Sequence, residues 1–320
     1  MTEAARTAAF QDWGTGQDSG VFQASGGVPL AADGVPRGQP VVDRLVALLD
    51  LERIEQDIFR GVSPPESPVR VFGGQVAGQA LVAAGRTVPA ERRVHSLHSY
   101  FIRPGDPRVP ILYDVDRIRD GRSFTTRRVV AIQHGKAIFS LAASFHVDEQ
   151  GLEHADEMPA VPAPEQLDDL ATWSGRAGDG ATPFVRMPRP FDMRFVTPPV
   201  WAPDGTTVRP GERSQLWMRI DGSLPDDELV HVCVLAYASD LTLLGTVAAG
   251  HGRVFDQAVM AASLDHAVWF HRPFRADEWV LYDCASPSAS GGRGLAAGRF
   301  FTRAGSLVAT VVQEGLVRVR

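Results

Sequence analysis

Two spacings of apolar residues alternate along the chain. Residues 1–40 are rich in Gly, Ala, Asp and Pro with no sustained period, which predicts a flexible extension. From Val41 a helical spacing sets in: Val42, Leu45, Val46, Leu49, then Leu51 to Ile54 and Ile58-Phe59. A second helical stretch follows Gly73-Gly74 and runs from Gln75 to Ala84, with small residues that let other backbone approach closely. After Val94 the period becomes that of strands. Segments 95–101, 111–118, 123–133 and 137–147 are rich in β-branched or aromatic residues, and Arg-Pro-Gly-Asp-Pro, Arg-Asp-Gly-Arg and His-Gly-Lys separate them. Residues 148–190 are Pro- and Asp-rich and read as a linker. Strands resume at 191–196 and 215–220, a helix follows, and further strands are predicted at 264–270, 279–285, 295–302 and 307–319.

The helix of the second half contains the most unusual pattern. Between Glu228 and Arg253 the sequence LVHVCVLAYASDLTLLGTVAAGHG holds one charged residue, Asp240. The run is long enough to raise a membrane span, which needs roughly 20 apolar residues. Its Asp, two His and three Gly favour the central helix of a soluble core instead. Ser223-Leu224-Pro225-Asp226 reads as the helix start, with Ser as N-cap. From there Leu229, Val232, Cys233, Ala236, Asp240, Leu243 and Val247 share one stripe. Burying an ionised carboxylate is unfavourable unless donors surround it or the group neutralises. Asp240 is therefore either a hydrogen-bonded structural residue, a turn between two shorter helices, or a functional group.

The order of elements repeats. Arg103-Pro104 and Arg272-Pro273 stand 169 positions apart, Gly135 and Gly305 stand 170 apart, and Ser144 answers to Gln313 at 169. Each half reads as a helix followed by an antiparallel sheet, the outcome of a duplication. The expected organisation is an extension at 1–40, a first repeat at 41–150, a linker at 151–190 and a second repeat at 191–320.

Composition narrows the classes. A net charge of −6 gives no basic surplus for nucleic acid. Cys233 and Cys284 are the only cysteines, with no CxxC pair or Cys/His cluster at ligand spacing. That pattern argues against a disulfide framework or a metal site and suits a reducing cytoplasm. The first residues lack a secretory signal pattern.

Specific motifs add to this reading. VFGGQVAGQALVAA (71–84), HSLHSYFIRPGD (95–106), YDVDRIRDGRSFTTRRVVAIQHGKAIF (113–139), YASDL (237–241), SLDHAVWFHRPF (263–274) and VQEGLVR (312–318) resemble the acyl-CoA thioesterase II family. The resemblance runs from about Val41 to the C-terminus and is weakest over 155–210. It implies an α+β double hotdog, with two antiparallel sheets each wrapped around a central helix and joined edge to edge. It also implies acyl-CoA as substrate, no cofactor or metal, and a homo-oligomer, either a dimer or a tetramer of double hotdogs. By motif, the family's water-activating residues fall on Asp240, Ser263 and Gln313.

Those residue types suit thioester hydrolysis, which needs a positioned water, a base and donors for the oxyanion. Asp240 can act as base, with a pKa raised by burial. Ser263 and Gln313 can each donate and accept hydrogen bonds. Without a G-x-S-x-G elbow, Ser263 is expected to assist water rather than attack. Alternation places Gln313 on the face of Leu307, Ala309 and Val311. Structural roles are expected for His98, His266 and His271, with His95 a secondary candidate. Arg103 and Arg272 are expected to anchor turns through ion pairs, or else to attract coenzyme A phosphates. An enoyl-CoA hydratase using an Asp–His pair, and a non-catalytic acyl-CoA-binding hotdog, stay open as alternatives.

Overall fold

The computed structural model describes residues 34–64, 67, 70–177, 188–199, 201–202, 212–251 and 259–319. The extension read at 1–40 lies almost wholly outside the described residues, as do residues 178–187 of the inter-repeat segment.

The first half comprises α1 (Gln39–Leu49), β1 (Glu52–Glu55), β2 (Ile58–Gly61), α2 (Gly73–Gly85), β3 (Arg92–Phe101), β4 (Ile111–Asp120), β5 (Phe124–Gln133) and β6 (Lys136–Val147). A short helix α3 (Leu170–Ala177) lies between the halves. The second half comprises β7 (Phe191–Phe195), β8 (Arg213–Ile220), α4 (Glu228–Ser239), α5 (Leu243–Ala249), β9 (Val259–Ser263), β10 (Asp265–Phe270), β11 (Val280–Ser290), β12 (Arg293–Thr302) and β13 (Leu307–Val319). The strands form one antiparallel sheet in the order β1-β2-β4-β5-β6-β3-β10-β13-β12-β11-β8-β7, with β9 added on β13. The second six strands mirror the first six across the β3–β10 junction, where Asp265 pairs with Tyr100 and Trp269 with Ser96. Asp265 therefore lies opposite the strand end that leads into the first Arg-Pro turn.

Helices α2 and α4 lie together inside the curved sheet. Every α2 residue from Gly74 to Gly85 is buried, as are most of α4's. Both helices are consequently apolar on most of their circumference, as expected for enclosed helices, and the buried Gln75, Gln79, His231 and Ser239 are hydrogen-bonded. The small residues of α2 permit this approach: a Cβ on Gly74 would lie 2.3 Å from the carbonyl oxygen of Tyr237. The surrounding core includes Leu81, Leu97, Leu141, Phe139, Phe145 and Phe300. Each such side chain, fully removed from water, contributes roughly 1.5–3 kcal/mol before entropy is counted.

Several sequence expectations need correction. Residues 51–59, read as helix, form the β1–β2 hairpin, and Asp57 takes a positive φ of 61° at its turn. The apolar positions Leu51 and Phe59 fit a helical period by coincidence, whereas Glu52 to Glu55 are exposed throughout. The helix carrying Asp240 begins later than expected. Asp227 is its N-cap, accepting from the Leu229 N–H at 2.9 Å, whereas the N–H of Ser223 bonds Gln39. The helix also stops at Ser239 and restarts as α5 at Leu243, so Asp240 sits at the break. The run 228–249 is apolar enough to cross a membrane, but it is broken and mostly buried among the strands. It is a core element.

The alternation argument for β13 fails at its start. A register shift between Phe300 and Phe301 turns Leu307 to the outer face, where it packs with Trp217, Leu281 and Phe301. Val308, Ala309, Val311 and Gln313 are fully buried, the three apolar ones in the main core. The repeat offset shifts accordingly. Gln313 pairs with Ala296 on β12, as buried Ala143 pairs with Arg127 on β5, so Ala143 and not half-buried Ser144 is its counterpart. The segment read as linker is also more ordered than its composition suggests. Met158, Val161 and Leu167 cover the outer face of the second repeat, and Trp217 Nε1 donates to Pro162 O at 2.9 Å.

Candidate active site

Asp240 reaches the site because α4 ends there. Tyr282 on β11 donates its hydroxyl to the Ser239 carbonyl at 2.9 Å, satisfying an acceptor that the helix end would otherwise leave open. Buried His266 on β10 lies with Nε2 2.8 Å from Ser239 Oγ, which itself donates to Ala236 O. These contacts fix the last turn of α4 and hence the carboxylate that follows.

The carboxylate meets groups from both repeats. Gln313 Nε2, from β13, donates to Asp240 Oδ1 at 2.6 Å and to Ser263 Oγ at 2.7 Å. Ser263 ends β9 and donates to the same Oδ1 at 3.3 Å. Glycine 315 on β13 pairs with Ser263, which sets the hydroxyl beside the amide two residues earlier. From the first repeat, the Gly74 N–H at the start of α2 donates to Asp240, and a Cβ on Gly73 would lie 2.6 Å from Oδ2. A carboxylate beside a helix N-terminus gains from the exposed N–H groups and the dipole. Desolvation outweighs these donors and pushes the Asp240 pKa up from 3.8 to about 6. The three sequence-derived residues thus come together, from three separate elements.

Asp240 and Ser263 open onto a cavity of about 880 Å³ running between the repeats. Its walls are largely apolar, including Leu45, Phe72, Phe139, Met193, Leu216 and Leu244. Gln313 is fully buried behind the two. The arrangement can hold a water against the carboxylate while an apolar chain occupies the cavity.

The rival histidines lie elsewhere. His271 Nε2 is 2.8 Å from Thr310 Oγ1, His95 Nε2 is 2.9 Å from Ser144 Oγ, and His98 packs edge-on against Trp269. Burial holds the pKa of His266 down near 4, so its ring is neutral at neutral pH. Arg103 and Arg272 occupy matching turns and donate to the carbonyls of Ala137 and Leu307, at 2.6 and 3.1 Å. Among the described residues they anchor the turns through backbone oxygens rather than the expected ion pairs. Sequence reasoning missed Gly73, Gly74, Tyr282 and Ser239 as parts of the site. The paired glycines before an apolar helix were the available signal.

Fold and site together define a hotdog-type enzyme scaffold: two repeats, one continuous sheet, and a polar cluster at the mouth of an apolar cavity. The sequence matches the family model for acyl-CoA thioesterase over residues 196–316, and that for the acyl-CoA thioesterase N-terminal domain over residues 63–146. It is 43% identical to acyl-coenzyme A thioesterase 8 of Mus musculus, over 86% of this chain and 89% of that protein. It is 41% identical to acyl-CoA thioesterase 2 of Haemophilus influenzae, over 87% and 98% of the two chains. The crystal structure of an acyl-CoA thioesterase II from Mycobacterium marinum superposes with a TM-score of 0.71 at 45% identity, covering 86% of this chain and 98% of that one. The chain belongs to the acyl-CoA thioesterase family, and its fold is the double hotdog.

Proposed function

We propose that the protein hydrolyses acyl-CoA to a free carboxylic acid and coenzyme A by direct attack of water. The observation that carries this reading is the cluster of Asp240, Ser263 and Gln313 at an apolar cavity, in a chain with acyl-CoA thioesterases as relatives. Asp240 takes a proton from the water as it adds to the thioester carbon. Ser263 holds the water and the carboxylate in register. Gln313, being buried, positions both rather than touching substrate. Developing negative charge on the carbonyl oxygen is met by backbone N–H groups at the start of α2 other than those of Gly74, which donates to Asp240, and Val76, which donates to Phe72. Collapse of the tetrahedral intermediate expels the coenzyme A thiolate, which takes the proton held by Asp240 and so restores the ionised base. General-base help of this kind is typically worth about 10²–10⁴-fold.

The acyl chain lies in the apolar cavity, and a role in fatty-acyl metabolism is the reading that this cavity supports. The two-repeat organisation, with boundaries near 41–150 and 191–320, reflects duplication; the matching strand orders support it. Assembly into dimers or tetramers of double hotdogs and a cytoplasmic setting complete the reading, the latter supported by two buried cysteines that form no disulfide among the described residues. No histidine among the described residues bonds Asp240, which favours hydrolysis over hydration by an Asp–His pair.

The test is free thiol release across acyl-CoA chain lengths, for the wild type and Asp240→Asn. Release by the wild type and its loss in the variant are expected. No release from any acyl-CoA would overturn the reading, and a covalent acyl group on Ser263 would replace direct water attack.

A further inference from the structure

We propose that Arg70 is a positioning residue for this chemistry, tying the approach to α2 to the strand that carries Ser263 and setting a positive charge at the rim of the cavity that holds Asp240. The proposal rests on the thioesterase reading of the site. Arg70 precedes Gly73 by three residues and stands at the rim of the cavity. Its Nη2 donates to the Ala261 carbonyl at 3.1 Å, reaching from the first repeat to the second. Ala261 lies on β9, two residues before Ser263. Among the described residues β9 pairs with β13 alone. Val317, opposite Ala261 in that ladder, donates its N–H away from β9 to Gly292. The Ala261 carbonyl therefore faces the open edge of β9, where Arg70 takes it. A five-residue strand with one neighbour gains lateral support from this contact.

The same guanidinium acts on Asp240. The groups facing that carboxylate come from several elements: Gly74 N–H from α2, Ser263 from β9, Gln313 from β13, Tyr237 from α4 and Tyr282 from β11. The two phenols are kept neutral by burial, Tyr237 being pushed up to about 12. Ser263, Gln313 and the N–H are dipoles. Arg70 brings the positive charge, opposing the desolvation that favours the protonated acid. An exposed guanidinium acts across solvent, so its influence is modest and salt-dependent.

The experiment compares kcat/KM against pH for the full-length wild type, Arg70→Gln and Arg70→Lys with one acyl-CoA. In Arg70→Gln the acid limb is expected to move up by a few tenths of a unit, so that activity falls further at low than at high pH. Arg70→Lys restores the limb because it keeps the charge. Raising ionic strength moves the wild-type limb upward and leaves that of Arg70→Gln in place. A uniform loss of activity with an unmoved limb would reduce Arg70 to a structural tie, and no loss at any pH would remove both roles. An NMR titration of the Asp240 carboxylate in the same proteins reads the shift without turnover. If the wild type hydrolyses no acyl-CoA, that titration still decides whether Arg70 sets the acidity of Asp240, separately from the failure of the functional reading.

Discussion

Gln313 and Asp240 stand 73 positions apart in sequence, and their side chains meet at 2.6 Å. The Gln313 amide nitrogen has two protons, and both are committed, one to Asp240 and one to Ser263. Its oxygen is buried without a hydrogen-bond partner among the described residues. A lone buried acceptor costs about 1–3 kcal/mol, which the site accepts to fix two side chains at once.

Gln313→Glu should therefore be far more damaging than its size suggests. It sets a second carboxylate against Asp240, and two carboxylates in contact cannot both ionise. We expect kcat/KM at neutral pH to fall by about 10²-fold or more, with the acid limb displaced upward. Gln313→Ala, which removes the strongest donor to the ionised carboxylate without adding a charge, should lower kcat and move the limb up less than Gln313→Glu does. A pH profile of each variant distinguishes the two effects.

The pH dependence of the wild type follows from Asp240. Its pKa is raised to about 6, and only the ionised form accepts a proton. Activity should thus be full at pH values well above 6 and fall tenfold per unit below it. His266, neutral down to about pH 4, should leave no separate limb between those values. A limb near 4 instead would mean that Asp240 is solvated during turnover.

Gly73→Ala and Gly74→Ala should fail in different ways. The new Cβ at 73 would meet Asp240 Oδ2 at 2.6 Å and Phe101 at 2.9 Å, so the carboxylate must move. A large loss of kcat is expected with unfolding little changed. At 74 the obstacle is the Tyr237 backbone oxygen at 2.3 Å, which cannot rotate away. That substitution forces α2 and α4 apart and should cost about 1–3 kcal/mol of stability, typical of overpacking. Chemical denaturation beside thiol-release kinetics separates them.

The order of elements was legible because strand and helix periods differ, and because the Arg103-Pro104 and Arg272-Pro273 turns recur. Asp240 stood out as one charge in an apolar run, and Ser263 and Gln313 were reached through motifs. What escaped were features set by contacts distant in sequence. The β1–β2 hairpin depends on pairing with β4, where Phe59 lies opposite Tyr113, and nothing local announces it. The break after Ser239 depends on Tyr282 and His266 holding the helix end. The shift that turns Leu307 outward arises from a bulge on β13, where Val308 is the extra residue between the partners of Phe301 and Phe300, and period-two reasoning has no access to a bulge. Gly73 and Gly74 were visible as small residues, but only the second repeat shows which atoms need the space.

Asp240→Asn should be inactive and, at neutral pH, more stable than the wild type. The unfolded chain titrates this group near 3.8 and the folded chain near 6. A pKa raised on folding means the native state binds the proton more tightly, so stability declines as pH rises from 3.8 to 6. Above about pH 6 the ionised carboxylate burdens the fold by its full amount, on the order of 2–3 kcal/mol for a shift of this size. Below about pH 4 the burden is gone. Asparagine is neutral at every pH, and its carbonyl oxygen can still accept from Gln313. The variant should therefore exceed the wild type in urea denaturation at about pH 8, and the two should converge as pH falls toward 4. A variant less stable than wild type throughout this range would mark Asp240 as a carboxylate that the fold needs, and would separate its structural worth from any role in hydrolysis.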